Sequence, residues 1–184
     1  MAAALLSLTA CGSGDSNNAS TIASITNESS AVSTVNGEVP YTFFDDAVFV
    51  GDSVSLKLNL YVSAQRKNDN AFMGTAQFLT PGSYGTGNEL KELGSDNSVH
   101  PSYNGTEMYL ADAIEAMGAK KVFIMLGMND IAVYGNDGAV KNMETVLAQI
   151  KEKNPDTTIY VQSMTPIVGT AQTGSLTNEN LNIY

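Results

Sequence analysis

The sequence has few of the residues on which disulfide scaffolds, thiolate metal centres and nucleic-acid surfaces depend. Its 184 residues include one cysteine, one histidine and no tryptophan. A single cysteine can form neither an internal disulfide nor a thiolate zinc site. Lys and Arg total 9 against 19 Asp and Glu, a formal net charge of −10, and no run of basic residues is long enough to follow a phosphate backbone. We therefore expect no disulfide framework and no nucleic-acid partner.

Carboxylates are more frequent, but their spacing does not predict a metal site. Asp45, Asp46, Asp52 and Asp130 lie in four turn-like positions without the regular spacing of oxygen ligands that calcium and related ions require. The sequence therefore predicts neither a metal nor another cofactor.

The composition predicts one folded domain with a tail. Hydrophobic residues make up 43% of the sequence and charged residues 15%, which is enough apolar side chain to bury a core. A length of 184 residues suits one domain rather than two. We place this domain at residues 40–184.

The first residues resemble the end of a bacterial lipoprotein leader. Residues 1–10 are short and apolar, and Leu8-Thr9-Ala10-Cys11 is similar to a lipobox, in which the cysteine is lipidated. The resemblance implies a membrane anchor at Cys11, a Ser-, Thr- and Asn-rich linker over residues 12–39, and a location at the bacterial cell surface or in the periplasm. No basic residue precedes the apolar run, so the leader lacks its usual start. An incidental cysteine is the alternative.

Apolar segments alternate with helical patterns along the rest of the chain. The predicted strands are residues 47–51, 75–80, 121–126 and 158–164. Predicted helices begin at Thr106, Asp137 and Thr177, the first ending at Gly118 and the second before Pro155. Residues 54–62 alternate like a strand but also satisfy helical spacing, and we favour the strand slightly. This alternation predicts an α/β domain with a parallel sheet.

Two predicted strands end in polar motifs. Gly51-Asp52-Ser53 follows the first strand, and Gly127-Met128-Asn129-Asp130 follows the strand over residues 121–126. Ligands of parallel α/β sheets bind beyond the carboxyl ends of the strands, so Ser53 and Asn129 could share one site. Each motif taken singly is equally compatible with ordinary turn chemistry.

Together these motifs resemble two signature blocks of the SGNH (GDSL-like) hydrolase family. Residues 49–56 (FVGDSVSL) are similar to its first block and residues 123–131 (FIMLGMNDI) to its third. The resemblance implies a flavodoxin-like three-layer α/β/α fold, with Ser53 as nucleophile. It also implies an oxyanion hole formed by the Ser53 N–H, the Asn129 amide and a glycine N–H, for which Gly82 is the first choice and Gly85 the second.

The family implies a serine-dependent carboxylic ester hydrolase that needs no cofactor. Its extracytoplasmic members often remove acetyl groups, so an O-acetylated polysaccharide or peptidoglycan is the implied substrate. An O-acyltransferase would share the serine and the oxyanion hole. A non-catalytic glycan-binding lipoprotein on the same fold is a further alternative.

One family block has no counterpart in the sequence. The family's Asp-x-x-His block, which supplies the base and its orienting aspartate, is missing, and the only histidine, His100, lies in a polar loop. We interpret His100 as a loop residue rather than a substitute base. On this resemblance the final strand and helix are missing too, and the chain as given is expected to be inactive and prone to association.

Overall fold

A parallel sheet with helices on both faces forms the centre of the molecule. The structure, a computed structural model, describes residues 38–184. The predicted lipobox Cys11 and residues 12–37 of the predicted linker lie outside the described residues.

The described chain contains six strands and five α-helices. In chain order they are β1 (Ala47–Gly51), α1 (Ser53–Gln65), β2 (Gln77–Leu79), α2 (Thr86–Glu89), β3 (Ser102–Tyr103), β4 (Thr106–Glu107), α3 (Leu110–Met117), β5 (Lys121–Met125), α4 (Met128–Lys153), β6 (Thr158–Val161) and α5 (Asn178–Ile183). Two 3₁₀ helices span Tyr41–Phe44 and Gly169–Ala171.

Four strands form the parallel sheet, in the order β2-β1-β5-β6. Val48 and Val50 of β1, with Val122 and Ile124 of β5, join a core with residues of α3 and α4. Phe49, on the opposite face, packs with Leu58 of α1. Because each face is covered by helices, the predicted three-layer α/β fold is confirmed.

A row of aromatic rings crosses the sheet on the α1 side, one ring on each strand. Phe78, Phe49, Phe123 and Tyr160 stack in strand order, with centroid separations of 5.4, 4.7 and 4.6 Å. The four residues are partners in the strand register. Side chains directly opposite in neighbouring strands contact each other, so the row fixes the register of all four strands.

The strand favoured for residues 54–62 is wrong, because these residues belong to α1. Two adjacent parallel strands need a crossover of a dozen or more residues, and α1 supplies it between β1 and β2. Val62 and Ser55 face inward, whereas Leu60 is 62% exposed. The alternating apolar residues therefore do not form one buried face of a strand, because Leu60, one of them, is exposed on the helix.

One predicted helix start is also wrong, and another lies close to an observed start. Thr106 pairs with Tyr103 in a short antiparallel hairpin, and α3 begins only at Leu110. The helical segment α4 consists of two helices that meet at a kink at Gly135 (φ 66°, ψ −178°). The second of them follows Gly135, two residues before the predicted cap Asp137.

Other predicted ends are confirmed. Gly118 adopts the left-handed conformation after α3, with φ 63°, where glycine carries no Cβ penalty. The Thr177 side chain accepts a hydrogen bond from the Asn180 N–H and caps α5. None of the helices within residues 38–184 is long and apolar enough to cross a membrane.

Candidate active site

Ser53 is the first residue of α1 and follows β1 through a tight turn. Its side chain is exposed, whereas Gly51 at the end of β1 is buried. A Cβ on Gly51 would overlap the Ser55 hydroxyl and lie 3.0 Å from the carbonyl oxygen of Met125. Glycine therefore lets the strand pass directly into the helix and leaves Ser53 at the carboxyl edge of the sheet.

Asp52 caps α1 from a buried position. Its carboxylate accepts a hydrogen bond from the Val54 N–H at 2.8 Å, and the residue is only 4% exposed. Burial raises the pKa of Asp52 above its ordinary value of 3.8, and the nearby Asp130 adds to the rise, although backbone hydrogen bonds oppose it. The cap fixes the turn that presents Ser53.

Asn129 lies beside this turn, as its predicted role requires. Its side-chain nitrogen is 2.8 Å from the carbonyl oxygen of Tyr84 and 3.3 Å from the Asp52 carboxylate. These two contacts orient the amide. The contact to Asp52 is the longer and the weaker of the two, so the amide is held mainly by the Tyr84 carbonyl.

Asp130 holds the loop after β2 at the same carboxyl edge of the sheet. Its buried carboxylate accepts hydrogen bonds from the N–H groups of Thr86 at 2.9 Å and Gly87 at 2.7 Å. A Cβ on Gly85 would lie 2.8 Å from this carboxylate. The loop can approach this closely only because residue 85 is glycine.

The two glycine candidates differ in their surroundings. Gly85 is buried and follows Tyr84, whose carbonyl holds Asn129. Gly82 is exposed, and a Cβ there would have no atom within 4 Å. Within residues 38–184, neither the Ser53 N–H nor the Gly85 N–H donates a hydrogen bond to a backbone carbonyl of a turn, loop or cap. Ser53, Gly85 and Asn129 are thus brought to one sheet edge through Asp52, Tyr84 and Asp130.

His100 lies elsewhere, in a buried group of polar side chains. Its Nδ1 is 3.3 Å from the Glu89 carboxylate, which also accepts hydrogen bonds from the Tyr84 hydroxyl at 2.8 Å and the Leu110 N–H at 2.6 Å. Burial raises the pKa of Glu89, although these bonds partly oppose the rise. His100 makes no hydrogen bond to Ser53. Its interpretation as a residue outside the catalytic chemistry fits this position.

Sequence reasoning missed Glu89 and Tyr84. Burial also raises the pKa of the Tyr84 hydroxyl, with the negative charge of Glu89 as the next cause. A glutamate in the polar stretch GNELKE looks like a surface residue, and nothing local predicts that it caps Leu110, 21 positions later.

A shallow recess adjoins the turn that carries Ser53. It is lined by Asp52, Val54, Met125, Met128, Met164 and Thr165, and it encloses no space large enough for a water molecule. No group of three or more potential metal ligands was found within the described part of the chain. The site thus offers a hydroxyl, hydrogen-bond donors and an apolar recess.

No protein-family model and no curated protein matches the sequence. Solved structures to which the chain is similar include a Streptococcus pneumoniae protein described as a platelet activating factor, with 18% identity, a TM-score of 0.47 and coverage of 78% of this chain. Another is an active-site mutant of a family two carbohydrate esterase from Clostridium thermocellum, in complex with a cello-oligosaccharide, with 14% identity, a TM-score of 0.46 and coverage of 74%. The chain spans 62% and 45% of the lengths of those two chains.

Proposed function

We propose that the protein is a serine-dependent carboxylic ester hydrolase with Ser53 as its nucleophile. The observation that carries this proposal is the pairing at one sheet edge of an exposed serine at a helix N-terminus with an asparagine amide held by Asp52 and Tyr84. This is the combination of nucleophile and oriented donor that acyl transfer requires.

The reaction would proceed through an acyl-enzyme. The Ser53 hydroxyl attacks the ester carbonyl and passes its proton to a base. The base returns this proton to the alcohol oxygen as the ester C–O bond breaks. The developing oxyanion is held by the N–H groups of Ser53 and Gly85 and by the Asn129 amide. Water then attacks the acyl-serine and releases the acid. We choose Gly85 over Gly82 because Gly85 lies against Asp130 and next to Tyr84.

The base is the incomplete part of this site. The only histidine of the sequence is bound to Glu89, and serine without a base is a poor nucleophile at its ordinary pKa. We therefore expect the 184-residue chain to hydrolyse esters very slowly. The engagement of the only histidine with Glu89 also favours a second candidate function. In this alternative the protein is a non-catalytic glycan-binding protein that uses this sheet edge for recognition.

We propose a substrate and a location on the basis of the family resemblance. The substrate we propose is an ester of a glycan, such as an O-acetylated polysaccharide or peptidoglycan, and the protein is anchored through a lipid on Cys11. Metabolic labelling with an alkynyl palmitate, compared between the native protein and Cys11→Ser, tests the anchor. Equal labelling of both would exclude it.

Hydrolysis of p-nitrophenyl acetate tests the proposed activity. The protein expressed from its complete reading frame is compared with Ser53→Ala and with Ser63→Ala, an exposed serine on the same helix. We expect Ser53→Ala to lower kcat by about 10⁴-fold or more and Ser63→Ala to leave it unchanged. Activity that survives Ser53→Ala would refute the proposed nucleophile.

A folded protein without esterase activity would instead support the glycan-binding alternative. Calorimetric titration with O-acetylated xylan and with its deacetylated form then distinguishes the outcomes. Binding without hydrolysis would establish recognition, and no binding would exclude these glycans for both functions.

A further inference from the structure

Three aromatic side chains meet at the surface near the end of α1. The ring of Tyr61 packs at nearly a right angle against that of Phe72 in the following loop, with centroids 5.8 Å apart. Tyr41, in the first 3₁₀ helix, contacts the same Phe72 ring at 5.0 Å. Tyr41 is 40% exposed and Tyr61 54%, whereas Phe72 is half-buried. We refer to Tyr41, Tyr61 and Phe72 as the aromatic cluster.

Polar contacts between its own segments hold the aromatic cluster in place. Arg66 donates a hydrogen bond to the carbonyl oxygen of Phe72 at 3.0 Å. The Thr75 N–H donates to the Asp45 carboxylate at 3.1 Å and joins the loop of Phe72 to the end of the 3₁₀ helix of Tyr41. Side chains that are fixed before a ligand arrives lose less entropy on binding. The rings therefore form a preorganised surface.

The exposed area of the cluster is small for a protein partner. At 40% and 54% exposure, two tyrosines of about 150–250 Å² each leave roughly 200 Å² in contact with solvent. A stable protein interface covers about 800 Å² on each partner. An area of this size suits a small ring system better than a protein surface.

The chemistry of the surface fits a neutral glycan. A pyranose with equatorial hydroxyls has C–H groups on its two faces and hydroxyls around its rim, so its faces pack against aromatic rings while its rim needs hydrogen-bond partners. Asn68 and Asn70, exposed in the segment between Tyr61 and Phe72, carry side-chain amides of the required kind. A net charge of −10 disfavours an anionic glycan or an anionic membrane.

The exposed side of α1 connects the aromatic cluster to Ser53. Ser53, Lys57 and Tyr61 recur at four-residue intervals and are all exposed, so they follow one side of the helix. Eight residues at a rise of 1.5 Å separate Ser53 from Tyr61 by about 12 Å along the axis, a distance that a short oligosaccharide spans. A glycan with one ring at the cluster can therefore present an ester to Ser53.

We propose that the aromatic cluster is a binding subsite for a neutral glycan of equatorially substituted pyranoses, separate from the catalytic edge of the sheet. Binding itself does not depend on catalysis. Its use in presenting the ester rests on the proposed esterase function.

Calorimetric titration of the protein from the complete reading frame with unacetylated xylohexaose and cellohexaose tests the subsite. We expect Tyr61→Ala to weaken binding about tenfold or more, and Tyr61→Phe, which keeps the ring, to bind clearly more tightly than Tyr61→Ala. The matched control is Tyr109→Ala, which removes a tyrosine that is 36% exposed and precedes α3 on the opposite face of the sheet. This control should bind as the native protein does, and the fitted number of sites reveals any loss of folded protein.

Two results would overturn the subsite directly. One is that neither oligosaccharide binds, and if Tyr61→Ala then also dissociates a native oligomer, the cluster is a contact between protein chains. The other is binding that Tyr61→Ala leaves unchanged. Equal loss of binding in Tyr61→Ala and Tyr61→Phe would overturn the stacking on the ring and assign the contact to the hydroxyl.

The link to Ser53 has a separate readout. The ratio of kcat/KM for O-acetylated xylo-oligosaccharides to kcat/KM for p-nitrophenyl acetate, which has no sugar, should fall about tenfold in Tyr61→Ala. An unchanged ratio, with Ser53-dependent hydrolysis of both esters, would overturn the presenting role and leave the esterase intact. Oligosaccharide binding that requires Tyr61, without Ser53-dependent hydrolysis of any ester, would overturn the proposed function and leave the subsite intact.

Discussion

Two glycines in the loop after β2 provide a matched test at the scale of single residues. Gly85→Ala would place a Cβ 2.8 Å from the buried Asp130 carboxylate, whereas Gly82→Ala would meet nothing within 4 Å. We expect Gly82→Ala to leave activity unchanged and to raise the free energy of unfolding by up to about 1 kcal/mol, since alanine restricts the unfolded chain. Gly85→Ala should lower kcat about 10²-fold or more.

The esterase assay and urea unfolding of both variants separate these effects. If Gly82→Ala impairs kcat while Gly85→Ala does not, the oxyanion glycine is Gly82, the first choice that the family resemblance implied.

Asp130 should act as a positioning residue for the same loop. In Asp130→Asn, the new NH₂ group would face the N–H of Thr86 or of Gly87, so two donors would meet in a buried place. We expect a loss of about 1–3 kcal/mol in the free energy of unfolding and a fall of about 10-fold or more in kcat, with little change in KM, because the donor geometry matters most in the transition state. Loss of stability with an unchanged kcat would make Asp130 purely structural.

At this scale, the positions of Ser53 and Asn129 at strand ends were predictable, and the residues that hold them there were not. Ser53 and Asn129 follow apolar strands in recognisable motifs. Asp130, by contrast, is joined to Thr86 and Gly87 across 44 and 43 positions, and only the folded sheet brings them together. The wider lesson is that a motif indicates the reacting group, whereas long-range packing determines what holds it.

At the scale of helices and strands, the guanidinium of Arg66 connects the end of α1 to the loop that follows it. Arg66, just after α1, donates to the carbonyl oxygens of Phe72, Gly74 and Ala76 at 3.0, 2.9 and 3.0 Å. A lysine has one nitrogen and cannot span these acceptors. We expect Arg66→Lys to lower the free energy of unfolding by about 1–3 kcal/mol, measured in urea.

The matched control is Lys57→Ala, an exposed residue on the same helix, which should change stability by less than about 0.5 kcal/mol. Equal stability of Arg66→Lys and the native protein would show that water replaces the missing donors.

Glu89 joins α2 to α3 and should make stability depend on pH. Its folded pKa lies above the ordinary 4.5 because of burial, so between these two values the folded state holds more protons than the unfolded state. Stability therefore falls as pH rises through this window. In Glu89→Gln this fall should become smaller, as measured by urea unfolding from pH 4.5 to neutral, and the part that remains is expected from Asp52, whose pKa is also raised by burial. His100 and Tyr84, which contact the Glu89 carboxylate in the native protein, are left unchanged in this variant.

Glu92→Gln, an exposed neighbour, should keep the native pH dependence. A fall that persists unchanged in Glu89→Gln would assign it to another group.

Helices and strands were predictable where the residues that define them are adjacent in the sequence. The strands over residues 47–51 and 121–126 are apolar runs, and Thr177 caps its helix with its own side chain. The start of α3 was not predictable from Thr106, since the Leu110 N–H is bound by Glu89, 21 positions away at the end of α2. In α4, the predicted cap Asp137 lies two residues after the kink at Gly135, where the second helix follows, whereas the first helix, from Met128, was not predicted.

On the scale of the whole molecule, β6 leaves one edge of the sheet open among the described residues. It pairs with β5 alone, and Val161 at its end is 58% exposed. Exposed apolar edges promote pairing between chains. We expect the 184-residue chain to self-associate, more strongly at high salt because salt screens the repulsion between copies of charge −10.

Val161→Lys should reduce this association without lowering the melting temperature, as measured by light scattering after size exclusion. Lys67→Ala, far from the edge in sequence and exposed, is the control. Association that is equal in native protein and Val161→Lys would place the contact elsewhere.

The strand order also determines how the sheet can be assembled during synthesis. β1 pairs with β2 on one side, β5 then adds to its other side, and β6 adds to β5, so each strand joins an existing border and none has to be inserted between strands that are already paired. A nascent chain can therefore extend its native sheet in the order in which it leaves the ribosome. Amide protection on stalled nascent chains should appear in β1 and β5 before β6 has emerged, and protection only after β6 emerges would contradict this vectorial route.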